Sequence, residues 1–249
     1  MNKSEFIYGY HTIKALLETA PDQIYKLYLQ VKRDDKRWHE LMALAKRANI
    51  TVVQIPRHEL DALLDEKVQH QGMVAACQSF ASVDEAALAT LLSSVEQPKL
   101  VLILDGIQDP HNLGACLRSA NAFGVDAVIA PKDRAVGITP VVRKVAAGAV
   151  ATTPFVQVTN LARTMRWLQE QGIWLVGMEA HTTKPLCTID CCGDIGIVLG
   201  SEDKGMRRLT TEHCDYLATI PMHGTVASLN VSVATAVCLY EIKRQRGFS

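Results

Sequence analysis

The sequence predicts an α/β protein in two parts. A small α/β unit spans residues 1–78, and beyond a linker at 79–98 a larger unit over 99–249 is built on a mostly parallel sheet. Three observations predict this. Apolar runs of strand length alternate with amphipathic stretches of helix length along the whole chain. From Leu100 onward the alternation is regular, six strand runs interleaved with helical patterns, which implies parallel strands covered on both faces. Three strands of that half end in polar, glycine-bearing loops, the arrangement of open sheets that bind ligands at their carboxyl edge.

In chain order, His11 to Thr19 reads as a short helix and Ile24 to Val31 as a strand. Asp34 to Ala48 is an amphipathic helix with Leu41, Leu44 and Ala45 on one face. Thr51 to Ile55 is a strand, Arg57 to Leu64 a short helix, and His70-Gln71-Gly72 leads into a strand at Met73 to Cys77. The linker holds one helix-like piece, Asp84 to Leu92, and ends at Pro98. Strands then read at Leu100–Leu104, Ala127–Ala130, Phe155–Val158, Trp174–Gly177, Ile195–Leu199 and Leu217–Ile220. Helices read at about 113–123, 141–149, 161–170, 206–212 and 229–246. The last helix carries Lys243, Arg244 and Arg246 in its final turns, where cations suit the helix dipole.

The chain has 249 residues, 48% of them hydrophobic, enough for a sizeable core. Formal net charge is zero, so any nucleic-acid binding must rest on local patches rather than a broad field. In residues 1–78 eleven Lys and Arg face ten Asp and Glu. The run Lys32-Arg33-Asp34-Asp35-Lys36-Arg37 is either a solvated turn or a phosphate contact through Lys32, Arg33, Lys36 and Arg37. No apolar run reaches membrane-spanning length. The start, MNKSEFIYGYH, lacks the apolar core of a signal peptide, so a cytoplasmic protein with no membrane partner is expected. Seven cysteines include no C-x-x-C pair, and Cys187, Cys191 and Cys192 fit zinc poorly, so reduced thiols and no metal are expected.

The three loops carry the chemistry. Gly200 to Met206, GSEDKGM, has two glycines at P-loop spacing but lacks the Lys-Ser/Thr that must follow. Its carboxylates Glu202 and Asp203 suit a cationic ligand better than a polyphosphate. No G-x-G-x-x-G occurs, which disfavours a nucleotide-dependent oxidoreductase. Asn112 to Arg118 opens a helix with Asn near the cap and Arg118 two turns in. Ile220 to Asn230 joins a strand to the last helix, and Ser228, Asn230 and Ser232 place hydroxyl and amide groups among its first N–H groups.

These residues carry a resemblance. N-L-G-A-x-x-R at 112–118, G-x-E-x-x-G-M at 200–206 and I-P-M-x-G-x-x-x-S-L-N-V-S-V-A at 220–234 resemble the SPOUT superfamily of methyltransferases, in its ribose 2′-O (TrmH/SpoU-like) branch. I-Y-G-x-H at 7–11 and H-Q-G at 70–72 are similar to the small L30e-like RNA-binding domain that precedes the catalytic domain in bacterial 23S rRNA guanosine 2′-O-methyltransferases.

The resemblance implies a deep trefoil knot in the parallel-sheet domain, an exception to the rule against knots. It implies S-adenosylmethionine as methyl donor, held by Gly200, Gly205, Ile220, Met222 and Leu229. The polar catalytic set would be Asn112, Arg118, Glu202, Ser228 and Asn230. A homodimer would form through the knotted domain. The substrate would be a guanosine 2′-hydroxyl in 23S rRNA, in the peptidyl-transferase-centre loop, met as naked RNA or as a pre-50S particle. DNA, which has no such hydroxyl, is excluded. Family precedent gives the hydroxyl proton to Arg118. A free guanidinium has a pKa above about 12, so either the site depresses it or Arg118 clamps a phosphate. Arg134, Arg143 and Lys144, with Lys132, are candidate RNA contacts around the mouth. A tRNA ribose methyltransferase of the same family and a non-catalytic RNA-binding ribosome-assembly factor remain as alternatives.

Overall fold

The computed structural model describes residues 4–31, 33–64, 68–78, 85–96 and 98–248. The chain divides into two compact units, one of residues 1–81 with 140–152, the other of 82–139 with 153–249. The first unit takes in a segment, 140–152, that the sequence reading placed in the larger part.

The first unit has a four-stranded sheet in the order β1 (Ser4–Tyr8), β4 (Met73–Gln78), β2 (Ile24–Gln30), β3 (Thr51–Ile55). β4 is antiparallel to both its neighbours, and β2 runs parallel to β3. The parallel pair is joined through α2 (Lys36–Arg47), and α1 (Tyr10–Thr19) follows β1. Leu27 and Leu29 alternate inward on β2 and meet Ile13, Leu16, Leu41, Ala45, Met73 and Ala75, all buried. The Asp35 side chain caps α2 by accepting from the Trp38 N–H at 3.0 Å. α3 (Arg57–Ala62) closes the crossover from β3. α6 (Pro140–Ala146) also belongs here, and it stops three residues before the predicted end because Ala147 and Gly148 both take positive φ, 51° and 97°.

The second unit has six parallel strands in the order β10 (Tyr216–Ala218), β8 (Trp174–Met178), β9 (Ile195–Gly200), β5 (Leu100–Asp105), β6 (Ala127–Pro131), β7 (Phe155–Val158). Every residue of β5 and β6 is buried, as strands covered on both faces require. One core gathers α4 (Glu85–Ser93) and α7 (Leu161–Glu170) through Leu88, Leu92, Met165 and Leu168. α9 (Val231–Arg246) packs along α5 (Pro110–Ala122), where the Cys116 thiol lies 3.3 Å from the Thr235 hydroxyl. A short helix, α8 (Arg208–Glu212), precedes β10.

The strand order decides where a ligand fits. From β5 the chain moves outward to β6 and β7, returns to β8 on the far side, inserts β9 between β8 and β5, and ends at the β10 edge. The loop after β5 therefore departs to one side and the loop after β9 to the other. The carboxyl ends of these two adjacent strands are therefore the switch point of an open α/β sheet, where such folds bind their ligands.

Candidate active site

The residues at these strand ends come from parts of the chain far apart in sequence. Asp109 caps α5, accepting from His111 N at 2.9 Å, and Pro110 occupies the first turn, where its missing N–H costs nothing. This sets buried Asn112 at the mouth of the helix. The Asn112 amide donates to Glu202 Oε1 at 2.5 Å. The Asn230 amide donates to the same Glu202 oxygen at 2.7 Å and to Asn112 Oδ1 at 3.1 Å. Asn230 is also the cap of α9: its Oδ1 accepts from Ser232 N at 2.9 Å and from the Ser232 hydroxyl at 2.6 Å. One amide thus starts a helix and ties it to both other loops.

The loop after β9 is held at three points. Ser201 and Gly205 exchange backbone hydrogen bonds of 3.1 and 2.8 Å, so the loop is a closed hairpin-like turn, with Gly205 at φ 62°. Met206 turns its side chain into the core. Arg207 then meets Asp105, whose side chain is fully buried at the end of β5. Its backbone N–H, Nε and Nη2 reach the carboxylate at 2.8, 2.6 and 2.5 Å. Gly200 is sterically obligatory: an added Cβ would stand 2.0 Å from the Gly205 carbonyl carbon and 2.1 Å from Met206 N. The space beside Gly200 is filled by the loop's own backbone, so a side chain there damages the fold as well as any pocket.

The third loop is open. Residues 221–229 make no backbone-to-backbone hydrogen bonds among the described residues. Ile220, Met222 and Leu229 are half-buried, while Val226 and Ser228 are exposed. Polar backbone not paired with other backbone, beside half-buried apolar side chains, is the surface that a flat heterocycle with polar edges can use.

The structure brings Asn112, Glu202 and Asn230 into one network and sets Gly200, Gly205, Ile220, Met222 and Leu229 on the loops around it. Arg118 lies further along α5, exposed and without a hydrogen-bond or ion-pair partner among the described residues. Ser228 has none either; Ser232 makes the hydrogen bond to Asn230 instead. Arg134 and Lys132 are exposed on the loop after β6, and Arg134 takes φ 57°. Arg143 is buried on α6 of the first unit, and Lys144 beside it is exposed. In the 32–37 run, Arg33 turns inward to Asp35 and to the Gln71 carbonyl. The Arg37 guanidinium lies 5.3 Å from the Tyr10 ring centre, and Lys36 is exposed. Lys32 lies outside the described residues. Asp105 and Arg207 are the partners that sequence reasoning did not pair.

Among the described residues no group of His, Cys, Asp or Glu is set to hold a metal ion. All seven cysteines are free. Burial pushes the Cys116 and Cys191 thiols up to about 11 and those of Cys214 and Cys238 to about 12, which makes them inert apolar filling. No helix among the described residues is long and apolar enough to cross a membrane.

Comparison with known proteins shows the family. Residues 99–240 match the SpoU rRNA Methylase family, and residues 6–83 match the domain described as RNA 2'-O ribose methyltransferase substrate binding. The 23S rRNA (guanosine-2'-O-)-methyltransferase RlmB of Coxiella burnetii is 57% identical over 246 residues, 99% of this chain and 98% of that protein. The protein of the same name from Pseudomonas syringae is 50% identical over the same shares. Among solved structures, the SpoU methyltransferase AviRb from Streptomyces viridochromogenes, in complex with AdoMet, superposes with a TM-score of 0.78 at 24% identity, covering 98% of this chain and 90% of that one. The fold, the switch-point site and these matches together show that the chain belongs to the SpoU rRNA methylase family.

Proposed function

We propose that this protein transfers a methyl group from S-adenosylmethionine to the 2′-hydroxyl of a guanosine in 23S rRNA. The full-length match to relatives named for that reaction carries the reading. A tRNA-modifying relative from A. aeolicus covers only 60% of this chain, which favours rRNA over tRNA as substrate.

The residues present fit the cofactor. The open backbone of 221–229 and the half-buried Ile220, Met222 and Leu229 would hold its adenosyl part, and the closed turn at 200–205 would form the opposite wall. The bound sulfonium supplies an activated methyl group with a good leaving group. The protein has to bind, align and remove a proton. Glu202 accepts from two amides on one oxygen, which fixes the 201–205 turn against α5 and α9. Asn230 holds the start of α9 in register with that turn. Arg118, a planar five-donor fork, is free to clamp a ribose phosphate and draw the hydroxyl toward the methyl group, the hydroxyl proton leaving to solvent water as the oxygen is alkylated. The loops therefore organise the donor, while Arg118 addresses the acceptor.

The dimer belongs to the same proposal. α9 buries Val231, Thr235, Cys238, Leu239 and Ile242 and exposes Val233, Val237 and Tyr240, the last 51% exposed. Tyr240 forms a ring cluster with Phe123 and Phe248. An apolar stripe of this kind on a surface helix supports a homodimer. The insertion of β9 between strands laid down before it supports a knotted path around the cofactor loops. Cytoplasmic placement and an assembling large-subunit particle as substrate follow from the same reading.

The test is direct. Purified protein is incubated with labelled S-adenosylmethionine and either naked 23S rRNA, large-subunit precursor particles or bulk tRNA, and ribose methylation is mapped. Methylation of one guanosine in 23S rRNA is expected. Labelling confined to tRNA, or S-adenosylmethionine binding without any labelled RNA, would overturn the assignment.

A further inference from the structure

Gln71 sits at the tip of a turn that the first unit fixes from several sides. Its φ is 52°, a region that costs a residue with a Cβ, and Gly72 follows at 68°. A side chain at Gly72 would be strained by that φ and would press a Cβ against the ends of the Gln30 and Arg33 side chains, 2.8 Å from Oε1 and 3.0 Å from Nη1. Beneath the turn lies His70, 1% exposed. Its Nδ1 accepts from Gly72 N at 3.1 Å, so Nε2 carries the proton and donates to Asp61 Oδ1 at 2.9 Å. Gln30 N donates to Gly72 O at 2.9 Å, and Met73 N to His70 O at 3.0 Å. From above, Arg33 donates to the Gln71 carbonyl while holding Asp35.

This construction fixes the backbone of residue 71 and leaves its side chain out of the fold. Gln71 is exposed, and its amide has no hydrogen-bond partner among the described residues. Neither has the amide of Gln30, a half-buried neighbour across the turn. Glycine at 71 would hold the same turn without steric cost. A residue with a side chain standing where a strain-free glycine would fold as well points to use of that side chain. An amide offers one donor and one acceptor in a plane, the pattern that reads the edge of a base. Bases in duplex RNA have their edges engaged or hidden in a deep groove, whereas an unstacked base in a loop presents them.

We propose that the 70–72 turn is a base-reading site: Gln71, with Gln30 beside it, hydrogen-bonds the edge of an unpaired nucleobase of the substrate RNA, and His70 and Arg33 serve to hold the turn. The inference rests on the rRNA substrate proposed above and locates part of its selection in the first unit. It also changes the part given to Arg33, from a phosphate contact to a positioning residue for the reader.

The test compares full-length wild type with Gln71→Gly and Gln71→Ala, using a 23S rRNA transcript in fluorescence-anisotropy titrations and in methylation assays. Gln71→Gly is expected to keep or raise the melting temperature, because strain is removed, and to leave S-adenosylmethionine affinity unchanged. It is expected to weaken RNA affinity about tenfold, the scale of one lost base contact, and to raise KM for RNA with little change in kcat. Gln71→Ala separates the amide from the flexibility of glycine and should show the same loss of affinity. RNA affinity and KM at wild-type values in both variants would overturn the inference. Failure of wild type itself to bind or methylate either the transcript or large-subunit precursor particles would instead overturn the rRNA reading, and this site with it.

Discussion

Asn230 does two jobs with one side chain, and the two can be separated. Its Oδ1 caps α9 and its amide nitrogen joins Asn112 to Glu202. Asn230→Ala removes both; the lost cap alone costs about 1 kcal/mol. Asn230→Ser restores a cap but has no amide to donate. We expect Asn230→Ser to unfold in urea near the wild-type midpoint while methyl transfer falls at least about tenfold, the size of one lost transition-state contact. Wild-type turnover in Asn230→Ser would show that the capping role is the whole of it. Arg118 is a different case, since it contributes nothing to the fold around it. Arg118→Ala should leave stability and S-adenosylmethionine affinity within error and abolish labelling of RNA. Arg118→Lys should not restore it, because a point charge is not a planar fork.

The elements were largely legible because each declares itself locally. All six strands of the parallel sheet were readable as apolar runs, and α5, α7 and α9 from their periodicity. β1 was not, because SEFIY is five residues with polar ones at the start and no turn signal before it. α9 begins at Val231 rather than Leu229 because the Asn230 side chain, not the apolar pattern, decides where it starts. The site was legible only through motifs. Asn112, Glu202 and Asn230 are separated by 90 and 28 residues, and no local rule links them. Arg207 reads like any surface arginine until β5 and β9 lie side by side.

Pairing Arg207 with Asp105 then has a consequence at the scale of the loop it anchors. Asp105→Asn should cost about 2 kcal/mol, less than the ~3–5 kcal/mol for breaking a fully buried pair, because Arg207 stays 46% exposed. Urea unfolding measures it, and S-adenosylmethionine affinity should fall with it as the 201–206 turn loosens. At the other end of α9, Arg246 donates to the carbonyls of Pro98, Lys99, Cys191 and Gly193 at 2.6–3.0 Å. Burial pulls its guanidinium below the usual arginine range. Arg246→Lys keeps the charge but cannot span four acceptors, so it should destabilise almost as much as Arg246→Ala. Equal stability of Arg246→Lys and wild type would show that charge alone holds the helix end.

At the scale of the whole molecule the open question is how the exposed stripe of α9 is covered. One face of that helix is core and the other presents Val233, Val237 and Tyr240, 48%, 40% and 51% exposed. The spacing of four and then three residues keeps them on one line along the helix. Residues of this kind contribute about 1.5–3 kcal/mol each when fully buried. Since these three are already about half buried, six of them across a two-fold contact would supply on the order of 4–9 kcal/mol, comparable to the cost of association, so Phe123 and Phe248 would have to take part in the contact. α9 also starts at Asn230, so the same helix that would carry the interface holds the active-site network at its other end. Separation of protomers should therefore affect catalysis as well as mass. Val237→Asp puts a charge in the middle of the stripe, on the side away from the core, where the fold of one protomer does not depend on it. Sedimentation velocity should show Val237→Asp as a monomer with a circular dichroism spectrum like that of wild type. Its rate of RNA methylation should fall more than about tenfold at protein concentrations where wild type is expected to sediment as a dimer. A monomeric Val237→Asp with full activity would uncouple the interface from the site, and a dimeric one would place the interface elsewhere.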